Sequence, residues 1–391
     1  MRKRVLWLDR IAREWRARPI VWLSGVRRTG KSTLIEALSG QTLLLDCDDP
    51  AVESRVKDPM RFFKSVKADI VAFDEIHQLK DPARLLKIGA DRFPKLRILA
   101  TGSSTLWATR KFSDSLTDRK RTVHLPPVLW SELPLFDASI EKRLYRGGLP
   151  GPLLQDGENK ERAFYREWLD SFFARDVQRL FAFRDFEKFN SVFEYVLRTS
   201  GGQFEITKAA STLGLGRATV DAHLDALRIM LAATLVRPFH GGGVKELTKM
   251  PKIYAFDTGF VSFARAWSPL RPADYGLLWE HVVLEQLQGL KPEATILYWR
   301  DADGREIDFV IPGNRGAVDA IECKWSVDDF EAKTLRLFRS YYPKGRNFLI
   351  TPQSGEPYAR AYGNLEVTIA SPSIWERAGP KTRRAVARSA S

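Results

Sequence analysis

One stretch reads Gly25-Val26-Arg27-Arg28-Thr29-Gly30-Lys31-Ser32-Thr33 and follows the apolar run Ile20-Val21-Trp22-Leu23. This is the composition of a loop that wraps a phosphate chain. Gly25 and Gly30 let backbone N–H groups turn toward phosphate oxygens, Lys31 reaches the β and γ phosphates, and Ser32 offers a hydroxyl to Mg²⁺, with Thr33 beside it. A second apolar run, Ile70-Val71-Ala72-Phe73, ends in Asp74-Glu75. There Asp74 suits the Mg²⁺ shell and Glu75 is placed to polarise an attacking water, so the expected chemistry is ATP hydrolysis and not binding alone. A third run, Leu96 to Ala100, ends in Thr101-Gly102-Ser103-Ser104, where Thr101 and Ser103 are candidates to sense the γ-phosphate.

These groups need a scaffold. Residues 1–20 carry Val5, Leu8, Ile11, Ala12 and Trp15 at helical spacing. Strands are expected at Ile20–Leu23, Thr42–Leu45, Ile70–Phe73, Leu96–Ala100 and Thr122–Leu125, with a helix at Leu34–Ser39. A strand, loop, helix and strand in succession imply a parallel α/β sheet. The strand beyond Asp74 and the glutamate after it fit the AAA+ branch of P-loop ATPases. Ring-forming members of that branch complete their site with a neighbour's arginine, for which the candidate is Arg119; a solvated basic loop is the alternative. Asp74-Glu75-Ile76-His77 also spells the DExH box of some helicases, but the second lobe this would need is not visible.

A second constellation lies near the C-terminus. Glu280 falls on a helix, Asp308 follows Glu306 on a strand, and Glu322 and Lys324 stand two apart on the strand Ala320–Trp325. Period-two alternation puts Glu322 and Lys324 on one face. Asp308 and Glu322, with Glu280 as a third ligand, are suited to Mg²⁺, and Lys324 to orienting a water against phosphorus. The pattern is that of a PD-(D/E)xK nuclease core. It is open whether the core cuts DNA, only grips it, or has its carboxylates paired with Arg300 and Arg305 for stability.

Between these constellations, residues 134–190 turn helical and aromatic. Residues 191–262 have the order of a winged helix: helices around Phe193–Thr199 and Thr207–Leu213, then Ala218–Met230, then a hairpin of Thr234–Pro238 and Ile253–Phe256. The last of these helices carries Asp221, His223 and Asp225 beside Arg217 and Arg228, a mixed surface ill suited to base readout. Lys245, Lys249 and Lys252 are the better candidates for phosphate contacts.

In order, these pieces resemble a family of prokaryotic AAA-type ATPases that carry a winged helix and a restriction-endonuclease-like domain of unknown function. Further matching segments are Gly147-Gly148-Leu149-Pro150, Ala174-Arg175-Asp176, Lys249-Met250-Pro251-Lys252-Ile253-Tyr254, Asp257-Thr258-Gly259, Trp299-Arg300, Glu306-Ile307-Asp308-Phe309 and Ile321-Glu322-Cys323-Lys324. The resemblance implies ATPase activity with DNA-related roles, and the turn ending at Pro150 resembles one that touches adenine in signalling ATPases of the same branch. Family members usually carry Gly-Arg where this chain has Asp118-Arg119.

The expected organisation is an ATPase core at 1–133, a helical lid at 134–190, a winged helix at 191–262, a nuclease-like α/β domain at 270–370 and a basic flexible tail at 371–391. Composition agrees with several globular domains: 391 residues, 44% hydrophobic and 28% charged. No apolar run reaches the ~18 residues of a membrane span, and the charged start Met1-Arg2-Lys3-Arg4 does not read as a signal peptide. Two cysteines, Cys47 and Cys323, fit a reducing cytoplasm. A net charge of +14 points to a polyanion, with DNA foremost. The expectation is an oligomeric, ring-forming ATPase moving on branched DNA such as a Holliday junction. An ATP-gated, Mg²⁺-dependent endonuclease and a signalling ATPase with protein partners are the alternatives.

Overall fold

The computed structural model describes residues 2–102, 116–155, 160–181, 183, 185–243, 246, 249–353 and 355–376. They form two compact units. The first comprises residues 1–127, 149–186 and 225–232, and the second the remainder.

The first unit is built on five strands: β1 (Ile20–Ser24), β2 (Thr42–Asp46), β3 (Ile70–Asp74), β4 (Arg97–Thr101) and β5 (Lys120–His124). All pairs are parallel and the order is β2-β3-β4-β1-β5. The inner strands have almost no exposed side chain from Ile20 to Leu23, Ile70 to Phe73 and Ile98 to Ala100, so they are uninterrupted apolar runs. The edge strands β2 and β5 keep polar or half-exposed positions. Three flanking helices, Pro50–Val56, Pro59–Ser65 and Pro82–Arg92, begin at an Asp-Pro pair. The aspartate accepts a backbone N–H and proline occupies the first turn. Register aligns Leu23 with Thr101, and Phe73 with Ala100. The carboxyl ends of β1, β3 and β4 therefore share one edge, where open parallel sheets place their ligands.

The second unit carries a mixed eight-stranded sheet. Its strands are β6 (Ala233–Pro238), β7 (Lys252–Ala255), β8 (Leu297–Arg300), β9 (Glu306–Pro312), β10 (Val318–Cys323), β11 (Asn347–Ile350), β12 (Tyr358–Tyr362) and β13 (Leu365–Ala370). The order is β12-β13-β11-β10-β9-β8-β6-β7. The expected three helices occur at Phe186–Thr199, Ile206–Leu213 and Arg217–Ile229, the last continuing from residue 225 into the first unit, and the antiparallel pair β6–β7 follows in the second. That pair does not stand apart: β6 joins β8 at Arg237–Leu297 and Pro238–Tyr298, so one sheet runs across the expected boundary near residues 262–270. His223, expected on an exposed helix face, is buried, with its ring 5.6 Å from that of Phe189.

Within this unit two of the sequence's short motifs meet. Asp257 is fully buried and accepts N–H groups from Gly148 at 2.6 Å and Gly259 at 2.9 Å. A Cβ on Gly147 (φ +67°) would lie 1.9 Å from Asp257 Oδ1, and one on Gly148 would lie 2.4 Å from the Arg143 guanidinium. Both glycines are thus required by close approach. Arg143 is buried, donating to Glu285, to Thr258 Oγ1 at 2.9 Å and to the Val128 carbonyl at 3.0 Å. Burial pushes the Glu285 carboxyl up to about 8, with the Arg143 charge opposing. Replacing Arg143 by alanine strands a buried acid, so we expect a loss of about 3–5 kcal/mol in urea unfolding. An Arg143→Met, Glu285→Met double variant should recover most of that loss, and equal losses in the two variants would contradict this assignment.

Candidate active site

The loop from Gly25 to Gly30 leaves the end of β1 and enters the helix Lys31–Glu36. Gly25 (φ +151°) has no room for a side chain, since a Cβ would sit 2.5 Å from the Leu125 carbonyl oxygen. Gly30 adopts φ +93°, a left-handed value that favours glycine. Arg4 supports the loop from beneath. It is buried and donates to the carbonyls of Thr29 at 3.1 Å and Pro126 at 3.2 Å, so one of the N-terminal basic residues is structural. Lys31 Nζ donates to the carbonyls of Gly25 at 2.9 Å and Val26 at 3.1 Å. Those partners are neutral, so the loop's own hydrogen bonds do not cancel the charge, which suits a phosphate chain. Burial lowers the lysine's pKa, with Glu75 and Asp74 opposing. Ser32 and Thr33 are exposed.

Asp74 ends β3, and Glu75 follows in a left-handed conformation at φ +50°. Thr101, expected to sense the γ-phosphate, has another task. It is fully buried, donates its hydroxyl to Asp74 Oδ1 and accepts the Glu75 N–H at 3.0 Å. It therefore holds the two acids in place and is not itself open to a nucleotide. Glu75 Oε2 lies 3.1 Å from His77 Nδ1. Burial works against ionising Glu75, but His77 and Lys31 prevail and the carboxyl falls below its usual range, which keeps it ionised and able to accept a hydrogen bond from water. Asp74 and the Ser32 hydroxyl are hard oxygen donors of the kind Mg²⁺ takes. When bound, that ion would neutralise charge on the β and γ phosphates.

Two residues the sequence reading passed over complete this edge. Arg27 Nη1 lies 3.2 Å from Asp176 Oδ2. Both side chains line a cavity of about 360 Å³ together with Asp48, Glu75, His77 and Gln78. Asp176 belongs to Ala174-Arg175-Asp176, a segment quoted for the family but given no role. Pro150 also lies by the loop, its Cγ 3.8 Å from where a Gly30 Cβ would be. Arg119 sits at the other end of the sheet, just before β5, and donates to both Asp91 oxygens at 2.7 and 3.2 Å. It adds nothing to this chain's own phosphate edge. Ser103 lies outside the described residues.

In the second unit, Glu280 on the helix Pro272–Leu290 meets Glu306 and Asp308, which stand two apart on β9. One carboxylate oxygen from each lies within 4.8 Å of the others. Asp308 sits within β9, and it accepts the Cys323 N–H at 2.7 Å. Glu322 is buried, and Lys324, just past β10, reaches it at 3.3 Å and Asp308 at 3.9 Å. Burial and the Asp308 charge raise the Glu322 carboxyl. Lys252 requires a correction. Expected as an exposed phosphate contact, it is 3% exposed, with Nζ 2.6 Å from Glu280 and 2.7 Å from Glu306. Tyr254 donates its hydroxyl to the same Glu280 oxygen. Burial would depress the Lys252 pKa, but the two glutamates overcome it and raise it. The cluster thus has its own cation. Arg300 does pair with Glu306, at 3.1 Å, whereas Arg305 pairs with Asp301 at 2.6 Å. Lys249 is exposed, and Lys245 lies outside the described residues. No helix among the described residues is long and apolar enough to cross a membrane.

Comparison with known proteins divides the chain into three. Residues 17–134 match a family described as an AAA domain. Residues 137–271 match a domain of unknown function (DUF8612), and residues 275–369 match another (DUF4143). Uncharacterised proteins of Mycobacterium tuberculosis and Mycobacterium bovis are each 27% identical over 311 residues, spanning 77% of this chain and 69% of theirs. Among solved structures, RuvB of Thermotoga maritima is 16% identical, covering 61% of this chain and 93% of its own at a TM-score of 0.30. A DNA replication initiation factor is 12% identical, covering 57% and 75% at a TM-score of 0.25. A signal-transduction ATPase of Pyrococcus horikoshii is 12% identical, covering 74% and 46% at a TM-score of 0.26.

The Lys252 arrangement predicts a pH-dependent defect. Without this cation the buried Glu280 carboxyl, already raised by burial, moves further above its unfolded value. A group raised in the folded state loses stability as pH rises through that range. Lys252→Met should therefore cost about 3–5 kcal/mol near pH 8, and the deficit should shrink toward pH 5 in urea titrations. A deficit independent of pH would contradict the assignment.

Proposed function

We propose that this chain is an ATP-hydrolysing enzyme that acts on DNA, with its phosphate chemistry at the carboxyl edge of the five-stranded sheet. The observation that carries the reading is the convergence there of Lys31, Asp74 and Glu75, with Thr101 fixing the two acids. The AAA domain match supports hydrolysis. Lys31 binds the β and γ phosphates, and Ser32 and Asp74 hold Mg²⁺. Glu75 takes the proton from the attacking water.

The DNA part of the proposal rests on charge. The net balance is +14, and residues 377–391 contribute five basic and no acidic side chains. A tail of this kind and exposed Lys249 suit phosphate contact without base readout. The three helices and the β6–β7 pair are read as a winged helix, and the sheet around Glu322 and Lys324 as a nuclease-like core. We read that core as mainly gripping DNA: Lys252 already pairs with Glu280, one of the three expected ligands, and Lys324 with Glu322 and Asp308. The most concrete form of the activity is translocation or branch migration on junctions by an oligomer.

Steady-state ATP hydrolysis without DNA, and with linear duplex, single strand or a four-way junction, tests this reading. Lys31→Ala should fall to background, and Glu75→Gln should lose about 10²–10⁴-fold in turnover while still binding ATP. One DNA form should raise turnover severalfold, with the gain fading as salt rises, and gels should show rearranged but uncut strands. Turnover indifferent to every DNA would refute the DNA part, and activity retained in Lys31→Ala would refute the site.

A further inference from the structure

Two arginines sit side by side in the phosphate loop and are held in different ways. Arg28 (φ +64°) pairs with Glu167 at 2.5 Å and lies over the Phe164 ring, 5.0 Å from its centroid. Arg27 lines the cavity that holds Lys31 and Glu75, and Phe172 and Asp176 line it too. The helix Lys160–Phe172 and the turn after it grip Arg27 twice. Trp168 Nε1 donates to the Arg27 carbonyl at 3.1 Å, and Asp176 pairs with the guanidinium at 3.2 Å.

The second grip depends on an irregularity. Residues 173–177 form a π-helical turn. An α-helix advances about 100° per residue, so an unbroken one would bring residue 175 closest to the direction of Trp168. One extra residue in the turn brings residue 176 there instead. The chain thus presents an aspartate to Arg27 where regular geometry would present Arg175. π-turns are uncommon and collect at functional sites.

We propose that Arg27 is the arginine of this chain's own phosphoryl-transfer site, acting in cis, and that Asp176 is the positioning residue that holds its guanidinium at the mouth of the phosphate loop. The proposal rests on the nucleotide reading given above. In the reaction, a water oxygen forms a bond to the γ-phosphorus while the bond from that phosphorus to the β–γ bridging oxygen breaks. ADP and inorganic phosphate result, and the water's proton passes to Glu75 and then to solvent. Charge accumulates on the bridging oxygen and the γ oxygens as this occurs, and a guanidinium is matched to them in charge and fork geometry. Arg28 is held over the Phe164 ring by Glu167, whereas Arg27 lines the same cavity as Lys31 and Glu75, so of the two loop arginines it is the one placed beside the transferring group. A site with its own arginine does not require one from a second copy.

The test uses the full-length chain and reads turnover, ADP affinity, and affinity for ADP with aluminium fluoride, which mimics the transferring phosphoryl group. Arg27→Ala should lower kcat by about 10²–10³-fold and weaken the aluminium fluoride complex in parallel, while ADP affinity stays within threefold. Arg27→Lys, which keeps a charge and the fold, should recover only part of the loss. Asp176→Asn should lower kcat about tenfold with KM changed less than threefold, and Asp176→Glu should restore most of it. Wild-type turnover per chain should not change on dilution. The proposal is overturned if Arg27→Ala keeps kcat within threefold, if ADP affinity falls as far as kcat, or if turnover per chain collapses on dilution. Loss of activity in Lys31→Ala alongside full activity in Arg27→Ala overturns the arginine assignment alone, whereas an active Lys31→Ala overturns the nucleotide site beneath it.

Discussion

The Thr101 hydroxyl, buried between the Asp74 carboxylate and the Glu75 amide, is the contact on which the phosphate edge depends. It exists because β4 lies between β1 and β3, in a register that ends all three strands together. With β1 and β3 as direct neighbours, the loop carrying Lys31 and the acids after β3 would still share an edge, but the Glu75 N–H would lose its Thr101 acceptor. The inserted strand thus converts an acidic strand end into a fixed pair of acids with different surroundings. Thr101 restrains Asp74, while Glu75 is turned toward His77 and the cavity. Fixed groups of this kind need little reorganisation when charge develops beside them.

The second unit solves a different problem, that of burying charge. Arg143 with Glu285, and Lys252 with Glu280 and Glu306, each place a cation inside a cluster of acids away from water. Such pairs contribute little net stability but make any one-sided loss costly. They also tie distant sequence segments together, since Arg143 meets Thr258, and Lys252 on β7 meets Glu306 on β9. This is a physical reason for the short motifs around Gly147, Asp257 and Glu306 to occur as a set.

Much of this was legible in residue type and spacing. The inner strands leave a continuous apolar signature because they are buried on both faces, and the glycine-lysine loop and Asp74-Glu75 fall at the ends of two of them. The helices after Asp49, Asp58 and Asp81 were equally readable from their Asp-Pro starts, though the reading passed over them. Other features were not readable, because they depend on pairing between distant segments. The bond from β6 to β8 joins pieces that look separate in composition. Lys252 reads as an exposed wing lysine until the sheet brings Glu280 and Glu306 to it. Asp176 was hidden by the π-turn, since helical periodicity assigns its place to residue 175.

One Mg²⁺-nucleotide is expected to bind at this edge through Lys31, with the acids held by Thr101. Isothermal titration of MgATP into the Glu75→Gln chain measures this without turnover. One nucleotide per chain should bind, with a loss of affinity of more than tenfold on adding Lys31→Ala and a smaller loss on adding Thr101→Val. Binding that survives removal of the Lys31 ammonium, or no binding in the parent chain, would contradict it.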